Sequence, residues 1–145
     1  ASGGFDMMQR AAAAFRKENA DGKIIAVTQL TSMNEQTMQR EQQTQLSLTD
    51  SVLHYAGLAY KAGLDGVVSS PLESRMIHNE ISPDFLTVTP GIRLSENNND
   101  DQVRVVTPEK AKMLGSDYIV VGRPITQSDN PVSAYHEIKR LWEDE

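Results

Sequence analysis

Four short runs of almost wholly apolar residues, rich in β-branched side chains, recur along the chain at 23–30, 64–69, 85–89 and 118–121. Strands this apolar do not suit a sheet with one face in water. They fit parallel strands buried on both faces by crossover helices. The segments between them carry helical patterns. Residues 5–17 bring alanines and methionines at helical spacing, and Asp21-Gly22 turns the chain into the first strand. Ser47-Leu48-Thr49-Asp50 offers capping residues for a helix over 51–62, with Val52, Tyr55, Ala56 and Ala59 on one face and Gly63 as its stop. Further helices are predicted at 72–80, at 108–114 before Gly115, and at 132–142. The fold class is therefore α/β.

Polar or glycine-bearing motifs follow each strand's C-terminal end: Thr31-Ser32, Ser69-Ser70, Pro90-Gly91-Ile92-Arg93 and Gly122-Arg123. In a (β/α)8 barrel that is the face where active sites assemble, with a phosphate site in the loops after strands 7 and 8. A doubly wound sheet would instead favour an early glycine fingerprint, and the sequence has none. A complete barrel takes about 250 residues, whereas this sequence has 145. The expectation is a single barrel domain of which residues 1–145 supply the C-terminal part, strands 5 to 8. Ala1-Ser2-Gly3-Gly4 would be the turn just after strand 4, and the N-terminal strands would be absent.

Charge and composition narrow the function. The formal net charge is −6 and acidic residues are scattered among basic ones, which argues against a broad polyanion surface and against nucleic acid as partner. No apolar run approaches a membrane span and no leader pattern is seen, so a soluble, cytoplasmic protein is expected. With no cysteine, disulfides and thiolate chemistry are excluded.

Residues 85–126 are the most informative stretch, with two strands that each end in a glycine-arginine site. After the last strand, Gly122 lets an anion approach the backbone N–H and Arg123 offers a fork of donors matched to phosphate; the alternative is a strand-ending glycine with a surface arginine. Arg93 and Gln102 bracket a polar loop that is either a closing lid or a solvated connection. Thr31 and Ser32 either address a heterocycle edge or ribose hydroxyl, or cap the next helix. His54, His78 and His136 fall in predicted helices without metal-ligand spacing and read as structural. Asp21-Gly22-Lys23 precedes a strand, on the face that serves stability, and reads as a turn. Met7, Met8 and Trp142 read as packing residues.

Taken together, ASGG before a helix, IIAVTQLTSM, GLDGVV, FLTVTPGIR, NDDQVRVVTPEKA and YIVVGRPIT, in this order, resemble orotidine 5'-phosphate decarboxylase in its bacterial form. The resemblance covers essentially the whole chain. Ser69 is a departure, standing where a cysteine is expected. The resemblance implies decarboxylation of orotidine 5'-monophosphate to uridine 5'-monophosphate in de novo pyrimidine synthesis, without metal or organic cofactor, in a homodimer. It implies that Arg123 and the Gly122 N–H hold the phosphate, with Gln102 reaching it from the loop. Arg93 would bind the nucleotide or secure that loop, Thr31 and Ser32 would meet the pyrimidine edge, and Pro90 and Gly91 would lie beneath the ring. The family's reaction centre is an alternating lysine and aspartate array on strands 2 and 3, including an Asp-x-Lys-x-x-Asp motif. This sequence has no such motif, so no catalytic residue is assigned and the isolated chain is expected to be inactive. Two alternatives remain at this point: another phosphate-binding barrel enzyme, such as a hexulose-phosphate synthase, or a non-catalytic half-barrel.

Overall fold

The computed structural model describes residues 1–94 and 104–143. Four strands form one sheet in the order β1-β2-β3-β4, every pair parallel: β1 (Ile25–Val27), β2 (Gly66–Val68), β3 (Leu86–Thr89) and β4 (Tyr118–Ile119). Between and around them lie α1 (Phe5–Glu18), α2 (Glu35–Glu41), α3 (Leu48–Lys61), a 3₁₀ turn (Pro71–Glu73), α4 (Ser74–Glu80), α5 (Pro108–Met113), α6 (Arg123–Thr126) and α7 (Pro131–Glu143).

The strand register explains the two faces of the sheet. Ala26, Val67 and Thr87 are mutual partners, and all three are buried. Ala26 and Val67 pack against Met8 and Ala12 of α1 and Val52, Ala56 and Ala59 of α3. The small alanines let the helices sit close to the sheet, where dense contact adds to the transfer of apolar surface out of water. The opposite row is Val27, Val68, Val88 and Tyr118. In a closed barrel this row faces an interior filled with side chains. Here Val27 and Tyr118 are 42% and 57% exposed. A second cluster, Ile92, Val106 and Ala111 with Ile119, Val121 and Trp142, seats α5 and α7 beside β4. Trp142 and Met8 thus pack as expected, whereas Met7 is exposed.

Several boundaries differ from the sequence reading. The first strand is shorter than 23–30, because after the Thr28 N–H reaches the Val68 carbonyl the chain folds into a turn, with the Met33 N–H on the Leu30 carbonyl. The polar glutamine-rich stretch after it contains α2, capped by Asn34, whose side chain accepts from the Thr37 N–H at 2.8 Å. One turn of α2 buries Met38 completely, and that single apolar anchor was too little periodicity to announce a helix. Ser47 caps α3 as its hydroxyl chemistry suggests, accepting from the Asp50 N–H at 3.0 Å.

The N-terminal ends of the strands are tied by two aspartates. Asp65 accepts from the Ile24 N–H and from Arg16, both at 2.8 Å, with Lys23 at 3.6 Å. Burial works against its charge, but these donors outweigh that and hold its carboxyl below the usual range. Asp117 accepts from the Thr87 N–H at 2.7 Å and hydroxyl at 2.9 Å, and meets His78 Nε2 at 3.1 Å. Asp21-Gly22-Lys23 is indeed a turn at this end: the Gly22 N–H donates to Asn19, and its carbonyl accepts from Arg16.

Candidate functional site

Because all four strands run the same way, their C-terminal ends lie along one edge of the sheet, and the strand-end motifs Thr31-Ser32, Ser69-Ser70, Pro90-Gly91-Ile92-Arg93 and Gly122-Arg123 follow that edge. A cavity of about 240 Å³ opens there, lined by Val27, Gln29, Leu30, Thr31, Ser32, Val68, Ser69 and Pro90. The structure therefore brings Thr31, Ser32 and Pro90 together. Thr31 is buried and Ser32 exposed, both within the turn closed between Leu30 and Met33. Helix capping, the alternative for these hydroxyls, is performed by Asn34 instead.

An amide network centred on the buried Gln29 holds this turn from behind. Gln29 and Gln42 exchange hydrogen bonds at 2.9 and 3.0 Å, and Gln29 also donates to the Ser51 hydroxyl at 2.9 Å. Both amide groups are thus satisfied within the fold, and β1, α2 and α3 are pinned to one another.

Arg93 and Gly122-Arg123 leave the neighbouring strands β3 and β4, whose ladder extends as far as the Val120 N–H on the Thr89 carbonyl at 2.9 Å. Gly91 has φ +85°, a left-handed conformation that glycine adopts without strain, and it swings the chain so that Ile92 bridges Val106. Arg93 is 5% exposed and its guanidinium donates to the Ile92 carbonyl at 2.9 Å. It is anchored at the base of the loop through this bond. Gly122 differs from Gly91: its φ is −103°, and a Cβ built there would meet nothing within 4 Å. Packing does not call for glycine, and the omitted side chain leaves open space beside the backbone. Arg123 is the first residue of α6 and half-buried. Gln102 lies outside the described residues.

Two residues here were missed in the sequence. Arg104 donates to the Glu73 carboxylate and, through its second terminal nitrogen, to the Leu30 carbonyl at 3.0 Å. The other Glu73 oxygen accepts from the Ser70 N–H at 2.9 Å. Ser70-Pro71-Leu72-Glu73 is a capping box, legible as Ser-x-x-Glu, whereas nothing local announced that Arg104 would be buried. Burial lowers the pKa of Arg104, and the Glu73 carboxylate offsets that cost.

Comparisons with known proteins agree with this arrangement. The model of the orotidine 5'-phosphate decarboxylase / HUMPS family matches residues 1–138. Orotidine 5'-phosphate decarboxylase of Staphylococcus epidermidis is 58% identical over 142 residues, covering 98% of this chain and 62% of the relative. That of Staphylococcus saprophyticus is 55% identical over the same length and shares. The crystal structure of orotidine 5'-phosphate decarboxylase from Lactobacillus acidophilus superposes with a TM-score of 0.80 at 39% identity, covering 97% of this chain and 60% of that one. The chain thus spans about three fifths of the length of these relatives, and its four parallel strands with their helices are part of a (β/α)8 barrel. With a family match that runs from the first residue to the middle of α7, the chain belongs to the orotidine 5'-phosphate decarboxylase / HUMPS family.

Proposed function

We propose that this chain forms the nucleotide-holding portion of an orotidine 5'-phosphate decarboxylase, converting orotidine 5'-monophosphate to uridine 5'-monophosphate in pyrimidine synthesis. The observation that carries the reading is the shared edge of the sheet. There the cavity lined by Thr31, Ser32 and Pro90 and the pair Gly122-Arg123 leave parallel strands in one direction. The Arg123 guanidinium and the Gly122 N–H hold the phosphate, an anion suited to a planar fork and an open backbone amide. Gln102 reaches the same phosphate, and Arg93 fastens the base of the intervening loop. Thr31 and Ser32 address the polar edge of the pyrimidine, while Pro90 and Gly91 lie beneath the ring.

In the reaction, the bond from C6 to its carboxylate breaks, carbon dioxide leaves without the electron pair, and a proton delivered to C6 completes uridylate. Those steps need an ammonium near C6 to stabilise the carbanion and supply the proton. The alternating lysine and aspartate array that would do so is not in this sequence. What this chain contributes is binding energy remote from the reacting bond, which organises the ring against the array. The proposed whole enzyme is a cytoplasmic homodimer that takes only the nucleotide and needs no cofactor. No helix among the described residues is long and apolar enough to cross a membrane. The family description also includes the HUMPS class, but the relatives at 58% and 55% identity named as decarboxylases favour the nucleotide reading.

The test is a chimera in which residues 1–145 replace the matching portion of the Staphylococcus epidermidis relative. The expected result is loss of orotidylate absorbance by the chimera, with uridylate binding but no turnover by the 145-residue chain alone. A folded chimera that leaves orotidylate intact and acts on a hexulose phosphate would replace this reading with the other family activity.

A further inference from the structure

The buried ion pair between Arg104 and Glu73 has no role in the contacts assigned above, yet its geometry ends at one of them. The Leu30 carbonyl accepts twice: from the Met33 N–H at 2.9 Å, closing the turn that carries Thr31 and Ser32, and from Arg104 at 3.0 Å. Glu73 fixes the other prong of the same guanidinium and is itself fixed by the Ser70 N–H. The Arg104 and Glu73 side chains are 11% and 9% exposed. One planar group therefore joins the loop after β1, the loop after β2 and the end of the β3–α5 connection. A guanidinium fork can hold two acceptors in fixed relation, which an ammonium cannot do. A buried pair is weak evidence for stability, since two apolar residues of similar volume often serve as well. Among the described residues, the Arg104 Nε is buried without a partner, a further cost that a purely structural strut would not need.

We infer that Arg104, clamped by Glu73, is a positioning residue that sets the Leu30–Met33 turn and thereby the selection of the pyrimidine base, leaving the direct grip on phosphate to Gly122, Arg123 and Gln102. The inference rests on the nucleotide reading for its ligand, while the hold on the turn can be measured without any ligand. Gly122 and Arg123 leave β4, and the turn leaves β1, at the other side of the sheet. Loss of the strut should accordingly be felt more strongly at the base than at the phosphate.

The experiment uses the full 145-residue chain and the variants Arg104→Lys and Arg104→Met/Glu73→Gln. The double variant avoids stranding a buried carboxylate, and the amide oxygen of the introduced glutamine still accepts from the Ser70 N–H. Uridine monophosphate and ribose 5-phosphate are titrated calorimetrically, and hydrogen exchange is followed at the Met33 amide. Both variants are expected to weaken uridine monophosphate about tenfold while ribose 5-phosphate changes less than about twofold, as for one lost polar contact at the base. The Met33 amide should exchange faster in both. Equal weakening of the two ligands, or an unchanged Met33 amide in the double variant, would overturn the inference. If the unaltered chain bound neither compound, the nucleotide reading and the claim of base selection would fall together, and the Met33 amide would still decide whether Arg104 holds the turn.

Discussion

The two ends of the sheet are built on opposite terms. At the N-terminal end, Asp65 and Asp117 each gather backbone and side-chain donors from neighbouring elements. At the C-terminal end, Gly122 faces open space, and the two buried side-chain polar atoms without partners among the described residues, Ser69 Oγ and Arg104 Nε, are both found there. One end uses its polar groups to hold strands together. The other leaves groups whose geometry is set but whose bonding is incomplete, as expected of the face where barrels place their chemistry.

Two glycines give the largest expected contrast. A Cβ on Gly66 would lie 2.3 Å from the Leu86 carbonyl oxygen, at the first pair of the β2–β3 ladder, where both backbones are held by strand pairing. Gly66→Ala should cost about 3 kcal/mol, read by urea unfolding. Gly122→Ala, whose Cβ would meet no atom within 4 Å, should cost no more than about 1 kcal/mol while weakening uridylate binding. Equal stability losses at the two positions would erase the distinction between the ends. Next in size is Arg123→Ala. Removing a charged donor from a phosphate should lower uridylate affinity by about 2 kcal/mol, roughly 30-fold. Added salt should shrink the difference between variant and parent.

The N-terminal end predicts a pH dependence. Burial opposes ionisation of Asp65, but its backbone and Arg16 donors prevail, so its folded pKa lies below the unfolded one. That contribution is fully present above the ordinary aspartate value of about 3.9 and is lost as the pH falls through the depressed folded value. Asp65→Asn should cost about 1.5 kcal/mol at neutral pH, with the gap to the parent closing on acidification. Denaturant midpoints measured from about pH 7 down to about pH 2 would show it, and a gap that widens in acid would contradict the assignment.

The same division decided what could be read from the sequence. The strands and main helices were legible because apolar runs and capping serines act over a few residues, as Ser47 does for α3. Thr31, Ser32, Gly122 and Arg123 were legible as candidates because they follow strand ends, a position that the parallel order of the sheet fixes. Arg104 was not, since its partners Glu73 and Leu30 lie 31 and 74 residues away and become neighbours only once three loops share an edge. The His78–Asp117 pair, 39 residues apart, escaped for the same reason. The helix α2 escaped because one buried methionine among polar residues makes no periodic stripe.

The smallest effect tests whether incomplete bonding at the C-terminal end always means function. Ser69 lines the cavity with Thr31 and Ser32, yet its Oγ is closed off from solvent as well as unpaired. An oxygen with no open path cannot meet a ligand, so its cost is uncompensated desolvation. A thiol, the group the family resemblance led one to expect here, is a weak donor that tolerates an apolar setting better. Ser69→Ala and Ser69→Cys should therefore each raise stability by about 1 kcal/mol, seen as a higher urea midpoint at unchanged slope, and leave uridylate affinity where it was. A loss of affinity in both variants would place the hydroxyl among the ligand-binding groups. Arg104 would then not be alone in tying buried, unfinished bonding at this edge to the nucleotide.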